Sequence, residues 1–236
     1  MLDLQGGQEQ AFAATGFNLY LLPRLNADGS ELTWLDSIDG KPVSFLSQPA
    51  SGSTRQLCQG CIAFDFFPGG KDVLARYGNS LGRMNVASGA RAALIDFTGL
   101  NVTDAALAPD GRRIAFTVIS PDGNALLFLA PVGREVARRE SWTEITTDRR
   151  YISRPGWSPD GKLIYYSSSR DDFPCIWAQR ITPDGKLDGP PVATLHLHHP
   201  FESNAYGGPY FAVTPGNLYV LLSQIKGDAW MVKVGR

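Results

Sequence analysis

Apolar and polar residues alternate along this chain in short runs, each closed within a few residues by a turn signal. The clearest runs span residues 31–35, 73–77, 114–118, 163–167 and 218–222. They are rich in β-branched, aromatic and aliphatic side chains and too short for helices, so they predict β-strands. Just before each run stands a similar tetrapeptide. These are Asn26-Ala27-Asp28-Gly29, Phe67-Pro68-Gly69-Gly70, Ala108-Pro109-Asp110-Gly111, Ser158-Pro159-Asp160-Gly161 and a worn copy, Thr214-Pro215-Gly216-Asn217. Proline presets φ for a turn, aspartate bonds the amides ahead of it, and glycine takes the positive φ that a Cβ would penalise. Counted from Ala27 through Pro68, Pro109, Pro159 and Pro215, the tetrapeptides recur at intervals of 41, 41, 50 and 56 residues. Propeller blades of the WD type repeat every ~40–45 residues. The chain therefore predicts about five radially arranged sheets, with insertions in the two longer intervals.

Each repeat carries further strand signals. A third strand is expected at 43–46, 81–84, 125–129, 175–178 and 229–232, and a small-residue turn such as Ala87-Ser88-Gly89-Ala90 then leads to an outer strand. Residues 134–154 hold no glycine or proline and read as an insertion followed by an outer strand at 142–145. The expected fold is an all-β propeller of four-stranded blades near 23–60, 61–101, 102–150, 151–203 and 204–236, within a single domain at 17–236. Residues 1–16 read as a lead-in. Residues 17–22 read as a spare strand that pairs into the last blade and closes the ring, removing exposed edges. The alternative is the C-terminal part of a six- or seven-bladed propeller.

Composition narrows the function classes. Lysine plus arginine number 22 and aspartate plus glutamate 23, for a formal net charge of −1. That balance lacks the electrostatic footprint of a phosphate-backbone binder, so nucleic acid is set aside. No stretch has the apolar length of a membrane span, so insertion by this chain is not expected. The opening Met1 to Gly7 has neither a basic nor an apolar region of the signal-peptide kind. A cytoplasmic chain and a piece of a longer protein both stay open.

Candidate chemistry is sparse. Gly78-Asn79-Ser80-Leu81-Gly82 matches the G-x-S-x-G nucleophile elbow, but an elbow needs a helix after it, and a strand followed by another turn is expected here. Cys58 and Cys61 form one C-x-x-C, read as buried thiols or a disulfide, since two thiols make only half of a tetrahedral zinc site. His196 and His198, which His199 follows, fall on one face of an extended segment, a spacing that can chelate a divalent metal. A mixed site of His196, His198, Cys58 and Cys61 is the alternative metal reading, because both groups fall in connections between blades. No metal or other cofactor is expected overall. The five tryptophans read as packing between blades, and Asp110, Asp160 and Asp184 as turn formers.

Trp157-Ser158-Pro159-Asp160-Gly161-Lys162-Leu163-Ile164-Tyr165-Tyr166-Ser167-Ser168-Ser169-Arg170-Asp171 resembles the repeat signature of TolB-like bacterial propellers, and the likeness covers roughly residues 23–236. The segments Leu57-Cys58-Gln59-Gly60-Cys61, Cys175-Ile176-Trp177-Ala178-Gln179-Arg180 and Gly227-Asp228-Ala229-Trp230-Met231 are similar to propeller regions of acidobacterial multidomain proteins. There a propeller often follows a kinase or a winged-helix regulator and a membrane span. The resemblance implies a periplasmic or otherwise extracytoplasmic sensor or protein-interaction domain, tethered to such a regulator in a longer chain. The expected function is non-catalytic capture of a protein or peptide on one face, with a propeller hydrolase or lyase as the alternative. The face would be built from loops 36–41, 78–82, 119–124, 168–173 and 223–228, with the nearby inter-blade connections. Its candidate residues are Arg154, Arg170, Asp171, Asp172, Lys226 and Asp228.

Overall fold

The computed structural model describes residues 21–146, 152–198 and 210–221. These form four complete antiparallel sheets and a two-stranded fifth. The first sheet comprises β1 (Leu21–Leu25), β2 (Leu32–Ile38), β3 (Lys41–Gln48) and β4 (Ser53–Gln59). The second comprises β5 (Cys61–Phe66), β6 (Asp72–Tyr77), β7 (Ser80–Asn85) and β8 (Arg91–Asp96). The third holds β9 (Asn101–Leu107), β10 (Arg113–Ile119), β11 (Ala125–Pro131) and β12 (Thr143–Glu144). The fourth holds β13 (Ile152–Trp157), β14 (Leu163–Ser168), β15 (Cys175–Arg180) and β16 (Val192–Leu195). The fifth pairs β17 (Tyr210–Thr214) with β18 (Asn217–Leu221). Strands within each sheet follow chain order, and β1, β5, β9, β13 and β17 pack side by side in sequence. That is the architecture of a β-propeller of about five blades.

The turn joining first and second strands is built alike in the four complete sheets. The Gly111 amide donates to the Ala108 carbonyl at 2.8 Å, and the Ala108 amide to the Arg113 carbonyl at 2.8 Å. The same pair of bonds recurs at Asn26/Gly29, Phe67/Gly70 and Ser158/Gly161. Asp110 Oδ1 accepts the Arg112 amide at 2.9 Å, and Asp160 Oδ1 accepts the Lys162 amide at 3.1 Å. These corners also touch one another. A Cβ placed on Gly111 would lie 3.1 Å from Pro68 Cδ, and one on Gly161 3.8 Å from Pro109 Cδ.

Alternation along a strand feeds two neighbours at once. On β10, Ile114, Phe116 and Val118 join the core shared with the second sheet, while Ala115 joins the core shared with the fourth. Such strands are buried on both faces. Trp34 stacks on Phe45 with ring centroids 4.4 Å apart and donates to Ser47 Oγ at 2.9 Å. Trp157 donates to the Ala106 carbonyl at 3.2 Å, bonding the fourth sheet to the third. Trp230 lies outside the described residues.

The insertion after β11 does more than lengthen a loop. Ala137 pairs with Ile95 as a parallel bridge, its amide donating to the Leu94 carbonyl at 2.7 Å. It covers the outer edge of β8. A 3-10 turn at Arg139–Ser141 then swings Trp142 onto Phe116 and Phe128, and β12 follows.

One boundary differs from the sequence reading. Leu21 pairs with Leu35, so residues 21 and 22 begin the innermost strand of the first sheet rather than a closing strand for the last. Pro23 stands inside this strand, at a register irregularity, and Leu22 takes φ 50°. The proline and the irregular backbone break the alternation that would mark the strand. Residues 17–20 lie outside the described residues.

Candidate metal centre on the rim of the fourth blade

In an antiparallel meander, the loop between second and third strands emerges on the same side as the connection to the next blade. The fourth blade builds its most chemically dense feature there. The Ser169–Asp172 turn is closed by the Asp172 amide donating to the Ser169 carbonyl at 2.9 Å, with Asp172 at φ 72°. This turn holds Asp171 over the start of β15, where Cys175 is fully buried. Beyond β16 the chain stays extended. Leu197 is 4% exposed and anchors the segment, while His196 and His198 project outward on the opposite side.

Asp171 Oδ2 lies 3.1 Å from His196 Nδ1 and 3.0 Å from His198 Nε2, and the two ring nitrogens are 3.1 Å apart. Asp171 Oδ1 is buried and takes no hydrogen bond from the described residues. The Leu197 amide donates to Cys175 Sγ at 3.2 Å. One donor atom from each of Asp171, Cys175, His196 and His198 falls within 4.8 Å of all the others. Aromatic rings steady the imidazoles: Phe173 stacks on His198 at 4.6 Å, and Trp177 meets His196 edge-on at 6.0 Å. Arg170 lies 4.7 Å over Trp177. Burial opposes ionisation of Asp171, but hydrogen bonding led by His198 overrides it and holds the carboxyl below its usual range. Burial, reinforced by the Asp171 charge, pushes the Cys175 thiol up.

The remaining candidates lie elsewhere. Cys58 and Cys61 are joined by a disulfide with Cα atoms 5.9 Å apart, at the junction of the first and second blades. They are not part of the histidine cluster; Cys175 and Asp171 take that place. Arg154 is not on a rim loop but on the innermost strand β13, in the left-handed conformation at φ 56°, with its guanidinium 3.3 Å over the Tyr210 ring. Ser80 opens β7 after a two-residue hairpin turn, so the G-x-S-x-G match is strand–turn–strand. Lys226, Asp228 and His199 lie outside the described residues.

A second polar feature was not read from the sequence. The innermost strands carry Arg24, Asp65, Asp104 and Arg154 in turn, each at or beside a register irregularity. Asp65 Oδ2 accepts the Leu107 amide of the next blade at 2.9 Å. Asp104 is bonded in the same manner by the Arg154 amide. Burial raises both carboxyls, while Arg24 acts on both in the opposite sense. For Asp65, the folded state holds the proton more tightly than the unfolded chain. That contribution is lost as pH rises through the raised folded value. Asp65→Asn removes the buried charge but keeps only one of the two oxygens that accept the Phe66 and Leu107 amides, so at pH 7 its urea midpoint is expected to fall between those of the parent and Asp65→Ala. Asp65→Ala leaves both the Phe66 and the Leu107 amides without their partner and is expected to lose about 1–3 kcal/mol. Equal midpoints for the two variants would contradict this.

Fold and site together define a propeller with a donor-rich rim. The solved structures it resembles share the propeller fold. TolB from Acinetobacter baumannii is 19% identical with a TM-score of 0.59, over 78% of this chain and 46% of that one. A putative TolB from Agrobacterium tumefaciens is 18% identical with a TM-score of 0.60, over 86% of this chain and 73% of that one. A puromycin hydrolase is 17% identical with a TM-score of 0.55, over 78% of this chain and 33% of that one. The chain thus spans less than half the length of the first of these. At such identities the likeness establishes the fold, a TolB-like β-propeller, and not the activity. No protein-family model matches the sequence.

Proposed function

We propose that this chain is a non-catalytic binding module, the propeller part of a bacterial envelope or signalling protein, that captures a protein or peptide on the rim face of its fourth blade. One observation carries the reading. The loop between β14 and β15 presents Arg170, Asp171, Asp172 and a 37%-exposed Phe173 in succession, held by a sheet buried on both faces. Arginine and aromatic side chains on a rigid support are what partner recognition uses most. The TolB-like repeats favour an extracytoplasmic setting, and no helix among the described residues is long and apolar enough to cross a membrane.

Immobilised chain is expected to retain a partner from a bacterial envelope extract. Arg170→Glu and Asp172→Arg are expected to lose that partner while unfolding within about 1 kcal/mol of the parent, as surface changes do. Undiminished retention by both variants would remove this face from consideration. The rival reading is a propeller hydrolase or lyase, favoured by the carboxylates on the innermost strands. Turnover in an esterase and glycosidase screen that is lost in Asp65→Asn or Asp104→Asn would put it first.

A further inference from the structure

We infer that Asp171, Cys175, His196 and His198 form a four-ligand site for a divalent transition-metal cation of the zinc class. The argument stands apart from the partner reading and rests on three observations.

The first is that protons cannot satisfy the contacts present. Asp171 Oδ2, His196 Nδ1 and His198 Nε2 make a closed triangle with sides of 3.0 to 3.1 Å. Each ring nitrogen brings at most one proton. If both nitrogens are protonated toward the carboxylate, two N–H groups face one another. If only one is, a lone pair faces another lone pair across one side. A cation at the centre turns all three sides into favourable contacts at once. The second observation is size. Tetrahedral zinc with bonds of about 2.0–2.1 Å to nitrogen and oxygen sets neighbouring donor atoms about 3.3–3.4 Å apart. The triangle needs to open by only a few tenths of an ångström, and Cys175 Sγ, within 4.8 Å of the other three atoms, needs to close to about 3.5–3.6 Å.

The third observation is the donor set and its support. Two imidazoles, one thiol and one carboxylate suit a borderline-soft ion, whereas calcium and magnesium take oxygen shells. Cys175 Sγ already accepts the Leu197 amide, a bond that steadies a coordinated thiolate. The histidine side chains are 53% and 50% exposed, which leaves the metal a path in. The fourth ligand is buried beneath them.

The test uses the whole chain with its Cys58–Cys61 disulfide intact, stripped with a chelator and titrated with zinc against a chromophoric competitor. One zinc per chain is expected, together with a rise in Tm that follows free zinc. His196→Asn and His198→Asn, both at exposed positions, are expected to weaken zinc binding by more than about 100-fold, beyond the loss seen for supporting residues. Cobalt loading adds a readout of ligand identity. The parent is expected to show intense tetrahedral visible bands and a thiolate-to-cobalt charge-transfer band, and Cys175→Ser to lose the charge-transfer band. If Cys175→Ser does not fold, the histidine variants alone decide. Sub-stoichiometric uptake, parent-like zinc affinity in the folded histidine variants, or a six-coordinate cobalt spectrum without the thiolate band would overturn the assignment.

Discussion

Replacing Phe116 by alanine is expected to destabilise the chain by about 3–5 kcal/mol, the range for deleting a fully buried aromatic ring. Phe116 is 0% exposed at the centre of β10, with β9 and β11 bonded on either side. Its ring meets Trp142 edge-on at 5.0 Å and Phe128 at 5.9 Å. Both partners are fixed, Phe128 by the sheet and Trp142 by the insertion that leads into β12, so the space left behind cannot collapse. Phe116→Leu keeps most of the volume and is expected to cost less than about 1.5 kcal/mol. Urea unfolding of the two variants separates the readings. A Phe116→Ala loss no larger than that of Phe116→Leu would mean that the second and third blades pack loosely here.

The other large effect is expected at Gly82, the last residue of the G-x-S-x-G match. Gly82 lies in mid-strand between Ala75 and Ala93, and any Cβ there would overlap the Tyr77 hydroxyl and the Ala92 carbonyl oxygen and lie 3.0 Å from Ala93 Cα. Two of those three neighbours are backbone, which cannot step aside without breaking the β7–β8 ladder. Gly82→Val is expected to cost more than about 3 kcal/mol, at the upper end for overpacking, and to leave little folded protein. Gly78, at the start of the same motif, has φ 54° and open space around it, so Gly78→Ala is expected to cost only about 1 kcal/mol from backbone strain. Reversed ranking by thermal unfolding would refute the packing account. Both glycines thus have structural reasons to be there, and neither needs a nucleophile to explain it.

The repeat architecture was legible because its corners are chemically demanding. Few residues other than glycine sit easily at the positive φ of Gly29, Gly70, Gly111 and Gly161, and the strands behind them must alternate between two neighbours. The disulfide and the face carrying Asp171, His196 and His198 were also within reach of spacing arguments. The membership of the cluster was not. Cys175 reads in sequence as one more apolar strand residue, and Asp171 as one charge in a polar loop. Only the fold shows that the loop between β14 and β15 leans toward the segment beyond β16. The innermost-strand charges were hidden for a different reason. A one-residue irregularity reverses which side of a strand faces inward. Counting by twos from Ala63 therefore misplaces Asp65, and Arg154 reads as a loop residue.

The Ala137–Ile95 bridge has a bearing on how such an array is assembled. It lashes the third blade to the rim of the second, outside the ordinary contact between their faces. Repeat proteins gain and shed units most easily where a junction consists of nearest-neighbour packing alone. At this junction an inserted or deleted unit would strand the strap without its anchor. The second and third blades are therefore expected to lose their hydrogen-exchange protection together, as one unit.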